Sequence, residues 1–277
     1  MKKTFNIVIL LLFMTGILIG AGCEAKQTPS TAPPVAKIPK PKPIALPVLK
    51  VGVEAVYAPF EFIDENTNEI TGFDVEFIKA VAGEAGMKVE LQNINRDSLY
   101  TSLNSEKVDV IISAMTITSE EKRRILFSDP YFVVNQLIVT KEGAPYRNLE
   151  SLTGQIVGVQ GNSTSQYILE ESLGYNKNDI MPYPTTADAL TDLVNGNIAA
   201  VVADEPSVLY FIKTNVGTKI AFSSSNFVKE YYGVAVEKNN IKLIATINSA
   251  IKKVKAIGKY DQIYKKYFGD SVIKSKQ

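Results

Sequence analysis

The sequence predicts an α/β protein in two lobes, each a parallel sheet with helices packed on it. Three observations carry that expectation. Apolar runs alternate with helix-periodic segments as βαβαβ between Val48 and Ile112, which implies parallel strands joined by right-handed crossovers. The theme restarts at Gln155-Ile156-Val157-Gly158-Val159, so a second unit follows the first. Between them, residues 108–131 read VDVIISAMTITSEEKRRILFSDPY: a buried strand (108–112), a polar lip at Ser113, Ala114 and Thr116, and the capping box Thr118-Ser119-Glu120-Glu121 that opens a helix. In an open α/β sheet small molecules bind at such a place, outside the carboxyl ends of the strands.

With 277 residues, 45% hydrophobic and 21% charged, the chain is long enough for two packed units. A net charge of +1 gives no footing for nucleic acid. His is absent and Cys occurs once. Imidazole catalysis, a Ser-His dyad, an internal disulfide and a Cys/His zinc site are therefore excluded, while carboxylates, Lys and Tyr remain available for chemistry. No cofactor or metal is expected.

At the amino end, Lys2 and Lys3 precede an apolar run over residues 5–19, short for a membrane span and suited to a signal-peptide core. Gly20-Ala21-Gly22-Cys23 follows and resembles a lipobox, with Gly20 where the pattern prefers Leu. Residues 1–23 are thus expected to be a lipoprotein signal peptide, with Cys23 acylated as the mature N-terminus; an uncleaved anchor is the alternative. Either places the protein on the extracytoplasmic face of a membrane. Residues 24–47 carry seven Pro among Lys, Thr and Ala and read as an extended tether. The first 47 residues hold six Lys against one Glu, which leaves the folded body near −4.

Within the body, residues 48–53 read as a strand and 54–62 (EAVYAPFEF) as a loop. Residues 72–82 (GFDVEFIKAVA) line Phe73, Phe77, Ile78 and Val81 along one helix face, with Asp74 and Glu76 in the first turn, where the dipole favours negative charge. A strand at 87–91, a short helix over 99–103 and the strand at 108–112 complete the first unit. Residues 137–140 are expected to leave it as a hinge strand. In the second unit, the loop Gln160-Gly161-Asn162-Ser163-Thr164-Ser165 leads into a helix holding Tyr167, Ile168 and Leu173, its hydroxyls capping the helix. Residues 185–194 form an amphipathic helix, 198–203 a buried strand, and Asp204-Glu205-Pro206 opens the next helix. Residues 229–236 cross back as the second hinge strand. Two helices, 240–255 and 259–268, close the body, and the stripe Tyr260, Ile263, Tyr264, Tyr267 reads as packing. Lobe 1 would span 48–137 plus 231–277, and lobe 2 residues 138–230.

Several of these segments resemble one family. GFDVE at 72–76, Thr116-Ile117-Thr118 with its following helix, Phe127-Ser128-Asp129-Pro130-Tyr131 and GKYDQIYKKYFG at 258–269 are similar to the signatures of extracellular solute-binding protein family 3. These are the binding proteins of amino-acid ABC importers, of the glutamine-binding and lysine/arginine/ornithine-binding type. The resemblance implies a type II periplasmic-binding-protein-like fold, with two hinge strands and a ligand cleft between the lobes. It also implies a monomeric, non-enzymatic lipoprotein whose partners are a small ligand and an ABC permease.

Carried over residue by residue, the family pattern places Glu54, Tyr57, Arg96, Ser113, Met115, Thr116 and Glu121 on the first lobe's side of the cleft. Gln160, Thr164 and Asp204 fall on the second. Asp204 matches the acid that pairs with the ligand's ammonium. Glu121 stands where the family has the Arg that clamps the ligand's carboxylate. Glu54, Glu121 and Asp204 against Arg96 leave a negative excess, which favours a cationic amino acid or amine. In a competing account, Glu121 only completes the capping box and Arg96 neutralises it. A secreted dehydratase-like enzyme on the same fold, with Glu121 or Glu54 as acid, is the alternative function.

Overall fold

The computed structural model describes residues 45–171, 175–224 and 227–269. The signal peptide, Cys23, the tether up to residue 44, and Leu173 lie outside the described residues.

In chain order the elements are β1 (Val48–Val53), β2 (Val56–Tyr57), β3 (Glu61–Ile63), β4 (Ile70–Thr71), α1 (Phe73–Glu84), β5 (Lys88–Asn93), α2 (Arg96–Asn104), β6 (Val110–Ile111), α3 (Glu121–Arg124), β7 (Ile125–Phe127), β8 (Phe132–Val134) and β9 (Gln136–Lys141). There follow β10 (Val157–Gln160), α4 (Thr164–Glu171), β11 (Ile180–Tyr183), α5 (Thr186–Asn195), β12 (Ala200–Asp204), α6 (Glu205–Thr214), β13 (Ile220–Ser223), β14 (Glu230–Tyr232), β15 (Ala235–Glu237), α7 (Ile241–Ala256) and α8 (Lys259–Phe268).

Two five-stranded sheets organise these elements. The first runs β5-β1-β6-β15-β7 and the second β11-β10-β12-β9-β13. In each, four strands run one way and a single strand, β15 in the first and β9 in the second, runs against them, so the sheets are mixed where the sequence predicts purely parallel ones. Chain direction explains the difference. β9 enters the second sheet from the first, and β15 re-enters the first from the second, so both run against their neighbours.

The crossings themselves form a two-stranded antiparallel ribbon, with Glu230 opposite Val134 and Tyr232 opposite Phe132. The outward crossing thus lies upstream of the expected 137–140, which pair inside the second sheet through β9. An isolated bridge between Thr116 and Tyr232 ties the ribbon to the lip after β6.

Local chemistry accounts for most helix starts. Thr185 Oγ1 accepts from the Asp188 amide at 3.0 Å and Asn240 Oδ1 from the Leu243 amide at 3.1 Å, each capping the helix that follows. Gly72 opens α1 at φ 127°, where an added Cβ would stand 2.1 Å from the Phe60 carbonyl oxygen. Only glycine fits there, and the Phe73 and Asp74 amides then donate at 2.9 Å to the carbonyls of Pro59 and Phe60. Thr118 Oγ1 does accept from the Glu121 amide at 3.0 Å, but α3 is a single turn. It stops because Ile125 begins the strand that pairs with β15.

The expected loop over 54–62 is instead part of a small antiparallel sheet, β2-β3-β4. Strands of two or three residues carry too little alternation to register as a period. Phe60, fully buried, anchors this hairpin in an aromatic cluster with Phe73, Phe132, Tyr232 and Phe268. Tyr260, Ile263 and Tyr264 are buried as well, so that stripe of α8 packs.

Candidate interlobe site

The groups of the candidate site emerge at the carboxyl ends of parallel strands and at the helix starts beside them. Glu54 follows β1, Met115 and Thr116 follow β6, and Arg96 opens α2. From the second sheet, Thr164 opens α4 and Asp204 ends β12.

Asp204 is 7% exposed, and its carboxylate collects three donors. Tyr57 Oη and Tyr232 Oη both donate to Oδ2, and Gln136 Nε2 donates to Oδ1. Burial, then the charge of Glu230, push this carboxyl up to about 6, while the three hydrogen bonds pull it back. Tyr57 and Tyr232 are raised well above the phenol range, first by burial and then by Asp204's charge. Gln136 reaches Asp204 because the two are cross-strand partners of β9 and β12, and Ser165 Oγ donates to its Oε1 at 2.8 Å, which orients the amide.

Glu230 is a further carboxylate between the halves. Its Oε2 accepts from Thr116 Oγ1 and Thr164 Oγ1, each at 2.8 Å, and its Oε1 from Gln136 Nε2 at 3.2 Å. Sequence reasoning missed Glu230, Gln136 and Tyr232. Their side chains are aimed by the β14–β8 ribbon and the β9–β12 pairing, which no local motif announces. The position of KEYYG on the expected returning strand was the available signal.

Glu54 and Arg96 are brought together. Glu54 Oε1 accepts from the Arg96 amide at 2.9 Å, at the start of α2, and the guanidinium stands 3.9 Å from Oε2. Arg96 Nε also donates to the Asn162 carbonyl at 2.8 Å, and Asn162 Nδ2 to Asp97 at 3.1 Å, so these bonds span the two halves. Arg96 therefore pairs with Glu54, where the competing account has it pairing with Glu121.

Two expected residues face elsewhere. Ser113, 1% exposed, accepts from the Glu54 amide at 3.0 Å and donates to Glu61 at 2.8 Å beneath the floor of the site. Gln160 turns its amide to Pro184 and Thr186 within the second half. Below Ser113, Glu61 and Asp74 form a buried acid pair. Burial and Asp74's charge raise Glu61 well above its usual range, and burial raises Asp74 to about 6. Asp74 Oδ2 accepts from Tyr131 Oη at 2.7 Å and from the Ala114 amide at 2.9 Å.

A cavity of about 720 Å³ opens between the halves, lined by Arg96, Met115, Thr116 and Glu121 on one side and Thr164 and Tyr167 on the other. Glu121 Oε2 is buried and has no hydrogen-bond partner among the described residues. Burial and Glu121 together hold the neighbouring Tyr100 hydroxyl above the usual phenol range. Chemically the site is a slot of acids, hydroxyls and two engaged arginines that both halves complete, as a capture site requires.

Comparison with known proteins agrees with this geometry. The profile of bacterial extracellular solute-binding proteins, family 3, matches residues 49–270. The crystal structure of an arginine-, lysine-, histidine-binding protein from Geobacillus stearothermophilus is similar at 39% identity and a TM-score of 0.75, covering 83% of this chain and 99% of that one. A lysine/arginine/ornithine-binding periplasmic protein of Escherichia coli (strain K12) is 30% identical over 82% of this chain and 90% of its own length. An ABC transporter glutamine-binding protein of Bacillus subtilis (strain 168) is 28% identical over 96% of this chain and 97% of its own.

Proposed function

We propose, from the premise that this chain belongs to family 3 of the bacterial extracellular solute-binding proteins, that it captures a small, positively charged, amine-bearing solute and hands it to an ABC permease. The charge of the cleft carries this reading. Glu121 lines the interlobe cavity, Glu230 sits on the Thr116 and Thr164 hydroxyls at its edge with Asp204 beside it, and the guanidinium of Arg96 is already engaged by Glu54. Desolvated charges need partners, so an added cation lowers the energy of that set where an added anion raises it. Relatives named for arginine, lysine, ornithine and histidine support the same sign of charge.

Closure supplies the selectivity. Each half offers part of the site, so a ligand that touches both favours the closed arrangement over the open one by its differential contacts. Capture requires no chemical step from the cleft acids, and the relatives compared above are named as binding proteins.

Thermal-shift and calorimetric titration of the whole chain test the reading. Lysine, arginine, ornithine and their amines are expected to stabilise it, by about 2.7 kcal/mol at a hundredfold excess over Kd. Glutamate, aspartate and sulfate are expected to do nothing. A response confined to anions would overturn the assignment. The accompanying proposal, acylation at Cys23, predicts that Cys23→Ser moves the protein from the membrane fraction to the soluble one. Persistence in the membrane would point to an uncleaved anchor.

A further inference from the structure

Two hydroxyls converge from opposite halves of the cleft, and the carboxylate that takes them belongs to the protein. Thr116 Oγ1 follows β6, and Thr164 Oγ1 opens α4 on the second sheet; both donate to Glu230 Oε2 at 2.8 Å. Gln136 Nε2 completes the seat at 3.2 Å from Oε1. Glu230 is delivered there by β14, held against β8 and, through the bridge between Thr116 and Tyr232, against the polar lip.

The adjoining cavity offers an incoming carboxylate little else. Both arginines that line it are engaged, Arg96 by Glu54 and the Asn162 carbonyl, and Arg124 by Glu120 at 3.0 Å. Glu121, at the position where the family signature has its arginine, presents a buried oxygen that has no donor among the described residues. A carboxylate placed against Thr116 and Thr164 would meet Glu230, which already takes both hydroxyls, and Glu121, which lines the cavity beside them. An ammonium or guanidinium would instead satisfy Glu121.

We propose that Glu230 is a specificity-determining residue that fills the carboxylate seat itself, so that the cargo is a small cation without a carboxylate: a diamine or a guanidino amine. The proposal rests on the reading that this protein captures a cationic amine and narrows the class within it. Glu230 excludes the amino acid, and Glu121 selects its decarboxylated counterpart.

Calorimetry on the whole chain tests this with three pairs that differ only by one carboxylate: arginine against agmatine, lysine against cadaverine, ornithine against putrescine. Each amine is expected to bind about tenfold tighter than its amino acid, or better. Glu230→Ala vacates the seat and is expected to shrink that ratio by about tenfold. Arginine binding as tightly as agmatine to the wild type overturns the proposal and leaves cation capture standing. An unchanged ratio in Glu230→Ala removes Glu230 from selectivity. Binding of neither series overturns both readings. Should Glu230→Ala fail to fold, the wild-type ratios decide alone.

Discussion

Tyr57, on the small hairpin beside the first sheet, donates its hydroxyl to Asp204 at the end of β12 in the second, across 147 residues of sequence. Tyr232 donates to the same oxygen from the ribbon that joins the halves. One carboxylate is thereby tied to both halves and to the crossing between them. Any ligand ammonium that pairs with Asp204 competes with these hydroxyls.

Tyr57→Phe removes one of the three donors and leaves the buried carboxylate with two. A hydrogen bond to a charged group contributes about 1.5–3 kcal/mol, so the variant is expected to lose roughly that much in urea unfolding above pH 7. An unchanged unfolding midpoint would show that the hydroxyl adds nothing to the fold.

Buried acids set the pH dependence. Asp204 and Asp74 are both raised to about 6 in the folded chain from an ordinary value of 3.8. A carboxyl raised on folding binds more protons when folded, so its contribution is complete below 3.8 and is lost as pH rises through about 6. Stability is therefore expected to increase on acidification from pH 7 towards 5, by up to ~1.4 kcal/mol per pH unit for each group. Denaturation series at pH 5, 6 and 7 measure it, and Asp204→Asn should flatten the slope. A steady loss of stability over that range would contradict the assignment.

Gly72→Ala tests the hairpin that carries Tyr57. The added Cβ meets the Phe60 carbonyl and the backbone holds φ 127°, so the loss is expected to reach about 1–3 kcal/mol from backbone strain alone. The order in which ligands are preferred should stay as it is. Wild-type stability in the variant would mean that the turn can relax.

Glu121→Arg reverses the charge of the group with the unpartnered oxygen. Preference is expected to move towards neutral and acidic amino acids by about tenfold or more, read by competition titration. An unaltered ligand profile would confine Glu121 to capping α3.

What the sequence alone determined is whatever depends on near neighbours. β1 follows from an apolar run, α1 from the spacing of Phe73, Phe77, Ile78 and Val81, and α5 from the amphipathic pattern over 185–194. The position of Asp204 at a strand end with Pro206 in the next helix's first turn was legible for the same reason. Only the tertiary structure decided which way the site's side chains face and what they meet. Glu230 joins Thr116 and Thr164 across 114 and 66 residues, Arg96 chooses Glu54 over Glu121, and Ser113 turns below the floor to Glu61. Those outcomes depend on strand pairing between distant segments and on the direction in which the chain crosses between two sheets. Periodicity and capping act within a turn or two of chain, so they specify elements, while the meeting of carboxylates and hydroxyls in the cleft is set by how those elements pack.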